Sequence, residues 1–322
     1  MLEGISRLAL LEGPTPIEPS GLDGLWVKRD DVAGTLFGGN KVRKLEYLLA
    51  DALERGGDVL TVGAVGSNHV VATCVYGQRA GLRVHAVLTP QPDAPYARVN
   101  ARVTHAHAEK VWPARSYATF PTVWAKAWLA IRAFAGFSPT AIPAGGSNAL
   151  GTLGWVRGGL EIAAQVEAGD MPAPERVYVA LGSGGTAAGL LLGLRLGGLA
   201  SEVVAVRTAP TAIGNARKVT TLARAAAAKL GARVEVAGLR VVNTQYGAGY
   251  AIPTPSSQAA ERRAAELGLR LDPTYSAKAF AEALAHRGGP ALFVMTANTR
   301  PMEPLLRTAL DEVPASLAPL LT

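Results

Sequence analysis

Three short segments of the 322-residue sequence hold residue types at spacings suited to binding anions and presenting an amine. In Gly182-Ser183-Gly184-Gly185-Thr186, glycines follow the β-rich run RVYVAL and precede TAAGLLLGLRL, the pattern of a strand, a tight turn and a helix start. Glycine lets the backbone approach an anion closely, and the unpaired N–H groups of a helix start point at it. Lys41 stands in Gly38-Gly39-Asn40-Lys41-Val42-Arg43-Lys44, where two glycines free the chain to turn before a helix that begins with basic residues. Taken singly, Lys41, Arg43 and Lys44 each read as solvated surface charges. Beside a phosphate loop, a lysine at a glycine turn reads instead as an amine able to reach inward. The third segment is Ser67-Asn68-His69. Val70, Val71, Cys74 and Val75 behind it make one apolar helical face, so Ser67 can cap the helix and the triplet sits where a carboxylate is favoured. A plain cap is the simpler reading of Ser67, and the two are compatible.

The glycine loop alone would also suit a dinucleotide. A nicotinamide fold puts an acidic residue after the next strand, whereas EVVAV here ends in Arg207, which leaves an NADP-type oxidoreductase as the alternative from another class.

These segments need a scaffold that points strand ends at one place. DVLTVGAVG, SNHVVATCVYGQRAGL and VHAVLT, then RVYVALG, TAAGLLLGLRL and EVVAVRT, alternate strand-like runs with helical ones. Near-continuous apolar strands of this kind predict an α/β fold of two domains, each with a mainly parallel sheet flanked by helices. The seams fall at FGGN (37–40) and at AIPAGGSNALGTLG (141–154), so residues 1–48 and 153–322 form the larger domain and 49–152 a smaller inserted α/β domain. The alanine-rich ARAAAAKLGAR reads simply as helix.

Composition excludes other classes. Hydrophobic residues make up 49%, enough for large cores, yet no apolar run approaches the ~20 residues of a membrane span. The N-terminal residues lack a secretory pattern and Cys74 is the single cysteine, so a cytoplasmic protein without disulfides is expected. The net charge of +7 is spread singly along the chain, which argues against nucleic acid as a partner. Cys74 reads as core, and His105 and His107 as surface residues rather than metal ligands.

A lysine that binds an aldehyde cofactor needs a phosphate anchor, partners for a phenolate oxygen and a ring nitrogen, and a wall against the ring. Candidates for each are present. GGNKVRKLEYLLADAL, GAVGSNHVVAT, PAGGSNALGTLG, GSGGTAAG and LDPTYSAKA together resemble the D-cysteine desulfhydrase and 1-aminocyclopropane-1-carboxylate (ACC) deaminase family, within the fold-type-II, tryptophan-synthase-β-like pyridoxal-phosphate (PLP) enzymes. The resemblance runs from EGPTPIEP and WVKRDD to ALFVMTAN, with the motifs in the family's order.

The resemblance implies that Lys41 carries PLP as a Schiff base and that Asn68 partners its phenolate oxygen. It places Ser183, Gly184, Gly185 and Thr186, with Gly182 before them, around the phosphate, and Lys44 as a further phosphate contact. Ser67, Asn68 and His69 match the substrate loop, and Tyr275 and Tyr246 match active-site tyrosines. Ser276 and Thr296 stand where ACC deaminases have glutamate and leucine. Hydroxyl groups there point to β-elimination from a small amino acid rather than ring opening. ACC deamination, a sulfonate amino-acid lyase or biosynthetic role, and a non-catalytic ligand-binding homologue are the alternatives. The family's HTGG is replaced by Met295-Thr296-Ala297-Asn298, so that Asn298, and Arg300 after it, suggest an altered substrate pocket. A homodimer is implied by the resemblance as well.

Overall fold

The computed structural model describes residues 2–285, 288–306 and 312–322. In chain order the elements are β1 (Ile17–Leu22), β2 (Leu25–Lys28), α1 (Lys41–Glu54), β3 (Asp58–Ala64), α2 (Asn68–Arg79), β4 (Arg83–Thr89), α3 (Pro95–His107), β5 (Lys110–Pro113), α4 (Phe120–Ala135) and β6 (Thr140–Ile142). There follow α5 (Ala149–Glu167), β7 (Arg176–Leu181), α6 (Gly185–Leu196), β8 (Glu202–Arg207), α7 (Ala216–Lys229), β9 (Leu239–Val242), α8 (Pro255–Glu266), α9 (Ser276–Ala285) and β10 (Ala291–Val294).

Two compact units result. The first comprises Met1–Gly4, Leu11–Lys44 and Ser147–Thr299, and the second Ile5–Leu10, Leu45–Gly146 and Arg300–Thr322. This departs from the sequence-based boundaries at the two ends of the chain. Residues 5–10 join the second unit because Leu8 N and Leu10 N donate to Glu46 O and Glu46 Oε1 at 2.8 and 3.2 Å. The C-terminal segment joins it because Gln91 N donates to Leu320 O at 3.0 Å and Asp93 N to Thr322 O at 3.0 Å. No hydrophobic run advertises such backbone pairing.

The first unit is built on a sheet ordered β1-β2-β10-β7-β8-β9, antiparallel only between β1 and β2. Side chains alternate between its faces. Val27, Tyr178, Val204 and Phe293 pack with Phe280 of α9 and Ala260 and Ala264 of α8. Their neighbours Val177, Val179 and Leu181 are equally buried, so β7 is covered on both sides, as a parallel strand requires.

The second unit is an all-parallel sheet ordered β5-β4-β3-β6. Leu60 and Val87 meet Ala127 and Ile131 of α4, while Val70, Val71, Cys74 and Val75 of α2 are buried as their spacing predicts. Among the described residues no helix is long and apolar enough to cross a membrane.

Candidate active site

In the first unit β2, β10 and β7 are parallel neighbours, so the segments that leave their carboxyl ends emerge along one edge. Those segments are 30–40, 295–299 and the glycine loop 182–186. They meet at the turn before Lys41. Gly39 takes φ +89°, and a Cβ there would lie 2.6 Å from Thr296 O, while a Cβ on Gly38 would lie 1.9 Å from Asp31 O. Both positions therefore require glycine. Gly39 N donates to Asp30 O (2.9 Å), Asn40 N to Thr296 O (3.2 Å), and Trp155 Nε1 to Asn40 O (2.9 Å).

Lys41 is half-buried at the start of α1, and its amine donates to Asn40 Oδ1 at 2.7 Å. Asn40 Nδ2 in turn donates to Thr186 Oγ1 at 2.9 Å, tying the amine to the glycine loop. Burial lowers the Lys41 amine to about 8, against the opposing pull of the Asp272 carboxylate. About a tenth is thus neutral, and nucleophilic, at pH 7, far more than for an ordinary lysine.

The glycine loop turns at Gly184, φ +95°, directly before α6. Ser147 Oγ shares a hydrogen bond with Ser183 Oγ (2.7 Å) and accepts from Gly185 N (3.2 Å) and Lys44 Nζ (3.2 Å). A Cβ on Gly185 would sit 2.6 Å from Ser147 Oγ and 2.8 Å from Lys44 Nζ, so the glycine keeps this cradle open. Burial, with Lys41 and Lys218 nearby, pushes the buried Lys44 amine well below its ordinary range. Converging amines at a helix start are the setting an anion relieves, and a phosphate fits these donors. Sequence reasoning does not single out Ser147 and Asn40 as functional residues, although both lie inside motifs that it does mark. Each follows a glycine pair, and the side chain of each hydrogen-bonds to the 183–186 loop.

The DPTY segment is organised by Asp272. Its carboxylate accepts from Thr274 N (3.0 Å), Tyr275 N (2.7 Å), Ser276 N (3.0 Å) and Ser276 Oγ (2.5 Å). Ser276 Oγ also accepts from Asp272 N at 2.7 Å, so this hydroxyl serves the helix start rather than a ring nitrogen. Tyr275 shares a 2.7 Å hydrogen bond with Tyr250, and its ring edge would lie 3.4 Å from a Cβ on Gly182.

Tyr250, and not Tyr246, is therefore the tyrosine of QYGAGY brought to Tyr275. Tyr246 lies under the Arg207 guanidinium, 4.1 Å from its ring centroid, and its carbonyl accepts from the buried Lys278 amine at 2.9 Å. Period alone cannot separate two tyrosines four residues apart in a loop. Arg207 is held by Asn243 Oδ1 (2.5 Å) and Ala209 O (3.1 Å).

Beneath the lysine turn lies a buried ion network. Arg43 pairs with Asp30 (2.7 Å) and Glu161 (2.8 Å), and Lys28 with Glu161 (2.5 Å), while Thr15 Oγ1 donates to Asp30 Oδ1 (2.8 Å). Burial alone would raise the Glu161 carboxyl, but Arg43 and Lys28 hold it down at about 2. Arg43 is thus an internal strut.

In the second unit Ser67 caps α2, with Val70 N donating to its Oγ at 3.5 Å. Asn68 Oδ1 accepts from Asn100 Nδ2 (2.8 Å), which also donates to Gly66 O (2.9 Å). Gly66 N donates to Gln91 Oε1 (3.0 Å). The ring of His69 turns into the core, 3.1 Å from Thr61 Oγ1, whose hydroxyl donates to Ile142 O (3.2 Å). What His69 presents at the helix start is its backbone N–H, not its imidazole.

Cys74 is buried and its thiol is pushed up to about 12. His107 shares hydrogen bonds with Gln78 Oε1 (2.6 Å) and Leu305 O (3.0 Å), and His105 is exposed.

The chain matches the family model described as pyridoxal-phosphate dependent enzyme over residues 8–293. It is 37% identical over 308 residues to a D-cysteine desulfhydrase of Yersinia pestis (strain Pestoides F), covering 90% of this chain and 93% of that protein. A D-cysteine desulfhydrase of Klebsiella pneumoniae is 36% identical at the same coverage. Among solved structures, an ACC deaminase homologue superposes with a TM-score of 0.80 at 32% identity, covering 92% and 93% of the two chains. A threonine deaminase from T.th., at 21% identity and TM-score 0.60 over 90% of this chain and 94% of that one, shares the fold. Fold, cofactor and chemistry class agree: the chain belongs to the pyridoxal-phosphate-dependent enzymes of fold type II and uses PLP.

Proposed function

We propose that the enzyme catalyses β-elimination from a small amino acid in the manner of a D-cysteine desulfhydrase, with Lys41 as the residue that carries PLP. The observation that carries this reading is the Lys41 amine itself, lowered to about 8 and tied through Asn40 to the glycine loop. Bound PLP supplies an electron sink for the bond broken at the substrate α-carbon.

The residues divide the remaining work. Lys44, Ser147 and the N–H groups of 183–186 hold the cofactor phosphate. Lys41, neutral once displaced, takes the α-proton. The first N–H groups of α2, at Asn68 and His69, hold the substrate carboxylate, Ser67 caps that turn, and Asn68 partners the phenolate oxygen. Tyr275, with Tyr250 rather than Tyr246, supplies a hydroxyl pair able to pass a proton. Thr296, and not Ser276, is the hydroxyl assigned to the ring nitrogen. With D-cysteine the Cα–H proton goes to Lys41 and the Cβ–S electron pair leaves as sulfide. One water then converts the released enamine to pyruvate and ammonia.

The proposed PLP-binding residues Lys41, Lys44 and 182–186 belong to the first unit, and Ser67, Asn68 and His69 to the second. We take the enzyme to be cytoplasmic, homodimeric and without a nucleic-acid partner, in line with its buried single cysteine, its resemblance and its scattered charge. A second reading, ACC deamination, is favoured by the likeness to the ACC deaminase homologue. Incubation with D-cysteine, L-cysteate and ACC, followed by 2-oxo acid assay, separates the two. Pyruvate and sulfide from D-cysteine are expected. A 2-oxobutanoate product from ACC alone would favour ring opening, and no 2-oxo acid from any amino acid would overturn both.

A further inference from the structure

The Met295-Thr296-Ala297-Asn298 segment departs from the family pattern where the chain leaves β10. Its contacts run towards the lysine turn. Asn298 Oδ1 accepts from Gly38 N at 2.6 Å. On either side of that bond, Thr296 O accepts from Asn40 N (3.2 Å), and Thr299 N and Oγ1 donate to Asp31 O (3.2 Å) and Asp31 Oδ2 (2.7 Å). Asp31 is itself held by Arg29 through two bonds of 2.9 Å. Residues 296–299 are thus strapped along residues 31–40, and Gly38 N reaches a side-chain acceptor that a glycine at 298 could not provide.

Gly38 has no slack of its own, since even a Cβ there would collide with Asp31 O and meet Asn298 Oδ1 at 3.0 Å. Its N–H direction sets the path of Gly39 and Asn40, and Asn40 holds the Lys41 amine.

We propose that Asn298 is a positioning residue that fixes the turn presenting Lys41, rather than a contact for the substrate side chain. The inference rests on Lys41 being the cofactor lysine. With the turn loosened, the amine gains access to water and loses its set direction towards the glycine loop. Cofactor capture weakens, and the pH at which the amine becomes neutral moves up from about 8 towards that of an ordinary lysine.

The test resolves PLP from purified holoenzyme and titrates it back, following the visible Schiff-base band in the parent, Asn298→Gly and Asn298→Asp. Aspartate keeps an acceptor oxygen at the same reach. The expected result for Asn298→Gly is a PLP dissociation constant raised about tenfold, the scale of one lost hydrogen bond, and an upward shift in the pH midpoint of capture. Asn298→Asp should restore affinity, and relative turnover of two accepted amino acids should be unchanged in both variants. Where Asn298→Gly does not fold, Asn298→Ser, whose hydroxyl falls short of Gly38, takes its place. Unaltered PLP capture without the acceptor, failure of aspartate to restore it, or a changed preference between the two amino acids would each overturn the proposal. A parent enzyme whose Lys41→Ala variant still forms the band would instead contradict the assignment of Lys41.

Discussion

The lysine turn of the first unit and the Ser67–His69 helix start of the second hold their polar groups by different means. Around Lys41 most partners come from far along the chain: Trp155, Thr186, Thr296 and Asn298, with the nearer Asp30, each contribute a hydrogen bond or a carbonyl to a turn of three residues. Around Asn68 the partners are fewer: the Ser67 side chain caps the helix, Asn100 donates to Asn68, and Asn100 and Gln91, 25–34 residues on, brace Gly66. A reactive amine that must stay directed is overdetermined by distant contacts. A helix start proposed to bind a carboxylate needs only its backbone N–H groups and a firm cap.

Breaking the strut under the lysine turn should give the largest effect on stability. Glu161→Ala leaves Lys28 and Arg43 buried with Asp30 as their remaining carboxylate, and should cost about 3–5 kcal/mol in chemical denaturation. The same ion network gives a pH signature. Because the Glu161 carboxyl is lowered in the folded state, its contribution is complete above its ordinary value of 4.5. That contribution should be lost as pH falls towards about 2, and be absent from the pH–stability curve of Glu161→Gln.

Next in size is Gly185→Ala, which sets a methyl 2.6 Å from Ser147 Oγ and 2.8 Å from Lys44 Nζ. Overpacking of this kind costs about 1–3 kcal/mol, on the order of tenfold to a hundredfold in PLP affinity by equilibrium titration. Stability without cofactor should fall as well, because the clash is with Ser147 and Lys44 of the protein itself. The contrast sharpens at the other helix start, where Ser67→Ala removes a long 3.5 Å cap and should cost about 0.5–1 kcal/mol of stability, leaving PLP affinity nearly unchanged. The smallest effect is expected at Cys74. Its buried thiol, at about 12, should resist thiol reagents at neutral pH until the protein unfolds.

Much of this is legible in sequence because it is written in local pattern. Apolar runs of strand length followed by 3.6-periodic segments point to both sheets, and glycine at 182, 184 and 185 marks the anion cradle. Gly38 and Gly39 likewise mark the turn before Lys41 and Lys44. The rest depends on pairs far apart in the chain. Nothing in the spacing says that Glu161 meets Lys28, that Asn298 meets Gly38, or that residues 318–322 pair with Gln91. The sequence favours Tyr246 where the structure brings Tyr250, because a loop has no periodicity to assign faces. It likewise points the Ser276 hydroxyl at the cofactor, because DPTYS does not reveal that Asp272 engages it first.

The central claim is that Lys41 carries the cofactor, and borohydride reduction of the yellow holoenzyme followed by peptide mapping tests it most directly. The pyridoxyl label should fall on Lys41 alone, with its formation from resolved enzyme and PLP levelling off above about pH 8. Label on Lys44, Lys218 or Lys278, or a colourless protein that takes up no PLP, would contradict it.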